Sequence, residues 1–192
     1  MDIIYWLAQI VGLISSIMIV VGLWSSKRRT ILTASILGNA LGSVSLIMLN
    51  LGGTAMIGIV GTVRILWLTI GEKHKWLLNV WWNPVFIATV WILYVWFNGF
   101  PASWVETLPM IGSALAFVAF SLRDLRWMKG LLIIVCLMWA IYKIMFGLWG
   151  ALPGELISIV VITISFIQTM QMHKKSLRNA DAAVIAAQAP LT

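Results

Sequence analysis

A chain of 192 residues that is 61% hydrophobic and 10% charged, with a mean hydropathy of +1.00, carries more apolar surface than a soluble domain can hide. Soluble chains run near half apolar and about a quarter charged, so the composition excludes a soluble enzyme or binding domain and describes an integral membrane protein. Thirteen Lys and Arg against six Asp and Glu leave a formal charge of +7, which in a membrane protein is read first as topology and only then as nucleic-acid affinity.

A span needs about 20 mostly apolar residues to cross the hydrocarbon. Seven runs meet that requirement, over 3–23, 30–49, 54–70, 77–97, 104–122, 130–149 and 151–172. The opening Met-Asp-Ile-Ile-Tyr-Trp has no basic stretch and no small-residue cleavage site, so the first run is expected to stay as a helix. Cytoplasmic loops collect Lys and Arg. Lys27, Arg28 and Arg29, Lys73 and Lys75, Arg123, Arg126 and Lys129, and Lys174, Lys175 and Arg178 fall in alternate gaps, and the other gaps have none. This predicts an outside amino terminus and a cytoplasmic carboxyl terminus, and it accounts for 11 of the 13 basic residues without a nucleic-acid partner. Cys136 is the one cysteine, and His74 and His173 stand among lysines, so no disulfide, metal site, cofactor or His-based catalytic pair is expected.

Compared with itself, the chain aligns Ala8-Gln9-Ile10-Val11-Gly12 with Leu108-Pro109-Met110-Ile111-Gly112, at an offset of 100. Leu51-Gly52-Gly53-Thr54 falls against Leu148-Trp149-Gly150-Ala151 at an offset of 97. The reading is all-α and transmembrane, with a first three-helix repeat over 1–76, a connector helix over 77–103, a second repeat over 104–173 and a disordered cytoplasmic tail over 174–192. One connector restores the direction of the second triplet, so the repeats are parallel, about an axis along the membrane normal.

Tyr5-Trp6-Leu7-Ala8-Gln9 with Val11-Gly12, the Gly61-Thr62-Val63-Arg64 stretch, Leu108-Pro109-Met110-Ile111-Gly112 and the overall spacing resemble the YgjV family of bacterial inner-membrane proteins. The resemblance covers nearly the whole chain. It implies a bacterial inner-membrane location and a plan similar to the SWEET, PnuC and PQ-loop carriers, but no substrate. Gln9 follows Ala8 and Pro109 precedes Met110, so neither half has the Pro-Gln pair of that wider group.

Charges inside spans are costly, by about 3 kcal/mol on insertion scales, and mark candidate sites. Arg64 lies 10 residues after Thr54, about 15 Å in and near the midplane. It is a candidate cation for an anionic or carbonyl-bearing substrate. Lys143 and Glu155 lie at similar depth on adjacent spans and are expected to pair, as a structural bridge or an outer gate, with Glu106 nearby. Asn39 and Trp139 each stand nine residues into the second and sixth spans, and Trp139, Tyr142, Lys143 and Phe146 share a helical face. An aromatic face beside an amide suits a sugar, nucleobase or vitamin ring.

Trp6, Trp24, Trp76, Trp104, Trp127 and Trp149 fall at span ends, as an aromatic belt requires. In the connector, Pro84 is expected to kink the helix and free a carbonyl near Asn83, and Trp91 is kept as a pocket candidate. Ser35, Gly38, Asn39 and Gly42, and Gly58 with Gly61 or Thr62, form strips for close helix packing. The function that follows is a carrier of a small molecule, a sugar, nucleoside or vitamin-like ring compound, whose midplane site uses Asn39, Arg64, Trp91, Trp139 and Lys143, with membrane lipid as a further partner and self-association compatible with the sequence. The alternative is a non-transporting binding or scaffold protein of the same fold, which predicts that Arg64 and Asn39 are satisfied by protein. An enzyme is disfavoured for want of paired carboxylates, a triad or metal ligands.

Overall fold

A computed structural model describes residues 3–71, 81–149 and 152–188. Those residues form seven helices: α1 (Ile3–Trp24), α2 (Arg28–Met48), α3 (Gly52–Gly71), α4 (Trp82–Asn98), α5 (Trp104–Ser121), α6 (Leu125–Met145) and α7 (Leu152–Gln188). Six of them are long and apolar enough to cross a membrane, α7 through its Leu152–Lys175 stretch. The exception is α4, whose 17 residues make a rod about 26 Å long.

Helix ends explain where the structure departs from hydropathy. Asp124 caps α6, accepting from the Arg126 backbone N–H at 2.9 Å and pairing with its guanidinium at 2.6 Å, which holds the carboxyl down to about 2. The helix therefore starts at Leu125 rather than at 130, and takes Lys129 out of the loop and into the bundle. It ends at Met145 because Gly147 adopts φ 65, its N–H donating to the Ile144 carbonyl while the Leu148 N–H donates to the Lys143 carbonyl at 2.8 Å. This is a Schellman end. The same pair of bonds ends α2, with Asn50 at φ 59 and the Leu51 N–H on the Leu46 carbonyl.

Two further expectations are corrected. Pro84 occupies the first turn of α4, where its missing N–H has no partner to lose, so it starts the helix instead of kinking it. The alanine-rich tail is helical as far as Gln188, in keeping with the high helix propensity of Ala. Trp76, His74, the start of the predicted fourth span and the Gly150 junction lie outside the described residues.

Helices pack in sequence within α1–α2–α3 and within α5–α6–α7. Contacts of α3 with α5 and of α7 with α1 close these six into a ring, and α4 lies outside it against α3 and α5. Small residues set the seams. The Ser15 hydroxyl donates to the Gly38 carbonyl at 2.7 Å, and a methyl on Gly38 would lie 3.2 Å from the Ser15 carbonyl and meet Ile19. Gly58 lies against Ser43, and Gly154 against the Ser16 side chain. Because the Ser16 Cβ cannot swing away, Gly154→Ala is expected to cost about 1–3 kcal/mol by overpacking the α1–α7 seam. Thermal unfolding in detergent reads this, and an unchanged melting point would show slack at that crossing.

Candidate functional site

The ring encloses a cavity of about 180 Å³ lined by residues of α1, α2, α3, α5, α6 and α7 and by none of α4. Its floor is an apolar cluster that includes Leu23, Ile65, Phe120 and Leu132, at the end where α2 and α6 begin. Its other end, toward the amino terminus, is ringed by Gln9, Thr54, Lys143 and Glu155.

The two walls differ in chemistry. The first triplet contributes most of the neutral polar groups, Gln9, Ser15, Ser16, Ser35, Asn39, Ser43 and Thr54, among apolar residues such as Ile19 and Ile57, whereas the second contributes the aromatic rings of Phe117 and Trp139 with Ser113, Lys143 and Glu155. Several hydroxyls are spent on carbonyls of their own bundle: Ser15 on Gly38, Ser43 on Asn39 and Ser113 on Met110. Among the described residues, the side-chain amides of Gln9 and Asn39, the hydroxyls of Ser16 and Ser35 and the Trp139 indole N–H make no protein hydrogen bond. A polar group turned into a mostly apolar space wants a partner. These five converge on one space.

The sequence candidates separate accordingly. Asn39, Trp139, Lys143 and Glu155 line the cavity, whereas Arg64, Trp91 and Glu106 do not. The helix ends give the reason for the Asn39 and Trp139 register: Lys27 and Asp124 cap helices of equal length, an offset of 97, which places Asn39 level with Cys136 and Trp139 level with Gly42. Standing nine residues into their predicted spans would make the two level; the helix ends put them about 4.5 Å apart along the axis.

Arg64 is fully buried on the far side of α3, sandwiched against α4 and α5. Its Nε and one terminal nitrogen donate to Asn83 Oδ1 at 3.1 and 2.7 Å, the latter also to Ser121 Oγ at 3.0 Å, and its guanidinium lies 5.2 Å from the Phe86 ring centre. Ser121 is the last residue of α5 and Asn83 the second of α4, so the group sits toward the floor end. Among the described residues no carboxylate faces it.

Trp91 is 40% exposed on the outer helix. Glu106 accepts from the Ala102 N–H at 2.8 Å and so closes the first turn of its own helix. Lys143 Nζ meets Glu155 Oε1 at 2.7 Å, with the side chains 12% and 15% exposed. That pair joins α6 to α7, inside one triplet.

Two features were not legible as site elements. The Tyr142 hydroxyl bonds Thr54 Oγ1 at 2.9 Å, tying α6 to α3 across the cavity mouth and hence the second triplet to the first. Lys129, counted in sequence as a loop cation, is 1% exposed; the Asp124 cap was the signal that it belongs to a helix. The remaining tryptophans behave as belt residues: Trp6, Trp24, Trp104, Trp127 and Trp149 are each more than half exposed.

Apolar helices ringed about a largely apolar space that holds a few polar groups define a multi-pass α-helical membrane protein. The chain belongs to the Imp-YgjV family of bacterial inner membrane proteins, whose family model matches residues 6–176. No curated protein and no solved structure gives a match.

Proposed function

We propose that the protein is a small-molecule carrier whose site is the central cavity, with two parallel three-helix repeats, SWEET-like in plan, as the moving halves. The observation that carries this reading is the convergence of unpartnered Gln9, Asn39 and Trp139 on one enclosed space between the triplets. Helix pairing supports the repeat, because replacing α1, α2 and α3 by α5, α6 and α7 maps the ring's contacts onto themselves. The lining follows the same offset, with Ser16 and Ser113, Ile19 and Ala116, Leu23 and Phe120, and Gly42 and Trp139 as pairs. The basic loops orient the molecule with the amino terminus outside and the cavity mouth toward the periplasm.

One wall of amides and hydroxyls facing an indole and a phenyl ring suits a neutral ring compound, hydrogen-bonded at its edge and stacked on its face. At about 180 Å³ the space falls below the roughly 300 Å³ at which drug-sized pockets begin. A monosaccharide, a nucleobase or a single-ring vitamin therefore fits better than a nucleoside. The alternative scaffold reading needs Arg64 and Asn39 both satisfied by protein; one terminal nitrogen of Arg64 is buried without a partner, and the Asn39 side chain makes no protein hydrogen bond.

A thermal-shift screen of purified protein against those three classes tests the proposal. A true ligand at about 100 times its Kd stabilises by roughly 2.7 kcal/mol. Asn39→Leu and Trp139→Ala are expected to abolish the shift and Trp91→Ala to keep it. No shift across the library, or one that survives both cavity variants, would remove the carrier reading.

A further inference from the structure

A second pocket opens at the floor end, between the α1–α2 loop and α7, lined by Trp24, Ser25, Ser26, Lys27, Lys129, Ser165, Gln168, Thr169 and Met172. Lys129 is its buried charge. Its Nζ donates to Ser165 Oγ at 2.6 Å and Thr169 Oγ1 at 3.2 Å. Those hydroxyls spend their own protons on carbonyls, Thr169 on Ser165 at 2.7 Å and Ser165 on Trp24 at 3.4 Å. Both act toward Lys129 as acceptors only, and an ammonium has three donors. One N–H of a buried cation remains, with no carboxylate near it among the described residues.

The first triplet shows that this corner does not need a lysine to fold. At the offset of 97, Lys129 corresponds to Leu32 and Ser165 to Leu68, and both leucines are fully buried in the apolar cluster. Where the first half has a hydrophobic corner, the second has a buried cation, two hydroxyls and an adjoining pocket. Burying an ammonium without a counter-ion is costly, and an anion entering the pocket would offset that cost.

We infer that Lys129, with Lys27 and the hydroxyls of Ser25 and Ser26, binds a phosphate group at this face. The rim residues Trp24 and Met172 are more than half exposed on the lipid-facing surface, so a headgroup can enter from the bilayer with its chains along the bundle. A basic pocket between spanning helices at the cytoplasmic face is suited to anionic headgroups. The inference does not depend on the carrier reading.

The test compares melting points in phosphatidylcholine nanodiscs with and without phosphatidylglycerol, and separately with added inorganic phosphate. Phosphatidylglycerol is expected to stabilise the wild type. Lys129→Leu, which restores the residue of the other triplet, should weaken the apparent affinity about tenfold or more, as loss of a charge-assisted hydrogen bond does. Lys27→Gln, an exposed loop change that leaves the fold alone, should weaken it about fivefold. A shift by inorganic phosphate alone, with the same dependence on Lys129, supports the phosphate site and assigns its ligand to the aqueous side. No stabilisation by either probe, or a phosphatidylglycerol effect undiminished in Lys129→Leu, overturns the inference. If Lys129→Leu does not fold, unchanged affinity in Lys27→Gln overturns it.

Discussion

Asn83→Leu is expected to destabilise the protein by about 3–5 kcal/mol, more than Arg64→Met at the other end of the same contact. Asn83 is 2% exposed, and its Oδ1 accepts from two guanidinium nitrogens and from Ser121 Oγ. Remove that acceptor and a charge stays buried with Ser121 as its main partner. Remove the charge, and only a neutral amide loses hydrogen bonds to a charged group, at about 1.5–3 kcal/mol. Both changes together should cost less than Asn83→Leu alone, since the orphaned charge is gone. Asn83→Asp supplies a carboxylate at 2.7 Å from the guanidinium and should be at least as stable as the wild type. Melting points of the four variants in one detergent decide the matter. Equal losses for Asn83→Leu and Arg64→Met would mean that Arg64 is not held as a charge by this amide, and a ligand shift lost in Arg64→Met alone would return Arg64 to the binding site.

Glu155→Gln should likewise lower stability, by about 2–3 kcal/mol, below the range for fully buried pairs because both side chains retain some exposure. Lys143 stands in the last turn of α6 and Glu155 in the first turn of α7, so each charge also faces the helix end that favours it. Lys143→Met with Glu155→Leu should recover most of the loss, because an apolar pair of similar volume leaves no unpaired charge. The pair lies within one triplet, so it can hold the mouth in shape without spanning the seam between the triplets. The Thr54–Tyr142 bond does span it. A folded double variant that still binds ligand would assign the ion pair to structure; one that folds and no longer binds would make Lys143 or Glu155 a ligand contact.

The spans were legible because burial in hydrocarbon demands runs of apolar residues, and seven such runs locate the seven helices to within a few residues at most ends. The exceptions are instructive. Hydropathy placed Lys129 in a loop because a charge reads as an interruption; the Asp124 cap and the Gly147 end were equally present in the letters and moved the whole of α6 by about a turn. Depth was legible for Lys143 and Glu155, since a 1.5 Å rise fixes position along an axis. Azimuth was not. A residue in a span faces lipid, a neighbour or the central cavity according to how the helix is rotated, and in membranes an apolar face does not distinguish neighbour from lipid.

Arg64 shows the consequence. Its place in a span marks a buried cation and says nothing about direction, and only the packing of α4 outside the ring turned it toward Asn83 and Ser121 and away from the cavity. The same packing set Trp91 on the outer surface and brought Tyr142 to Thr54 over 88 residues of chain. Composition and charge alone determined that this is a multi-pass membrane protein with basic loops on one side, because those follow from free energies of single residues in hydrocarbon. Which polar groups meet around one space depended on tertiary structure, because that is fixed by the close approach of small residues between helices far apart in the chain.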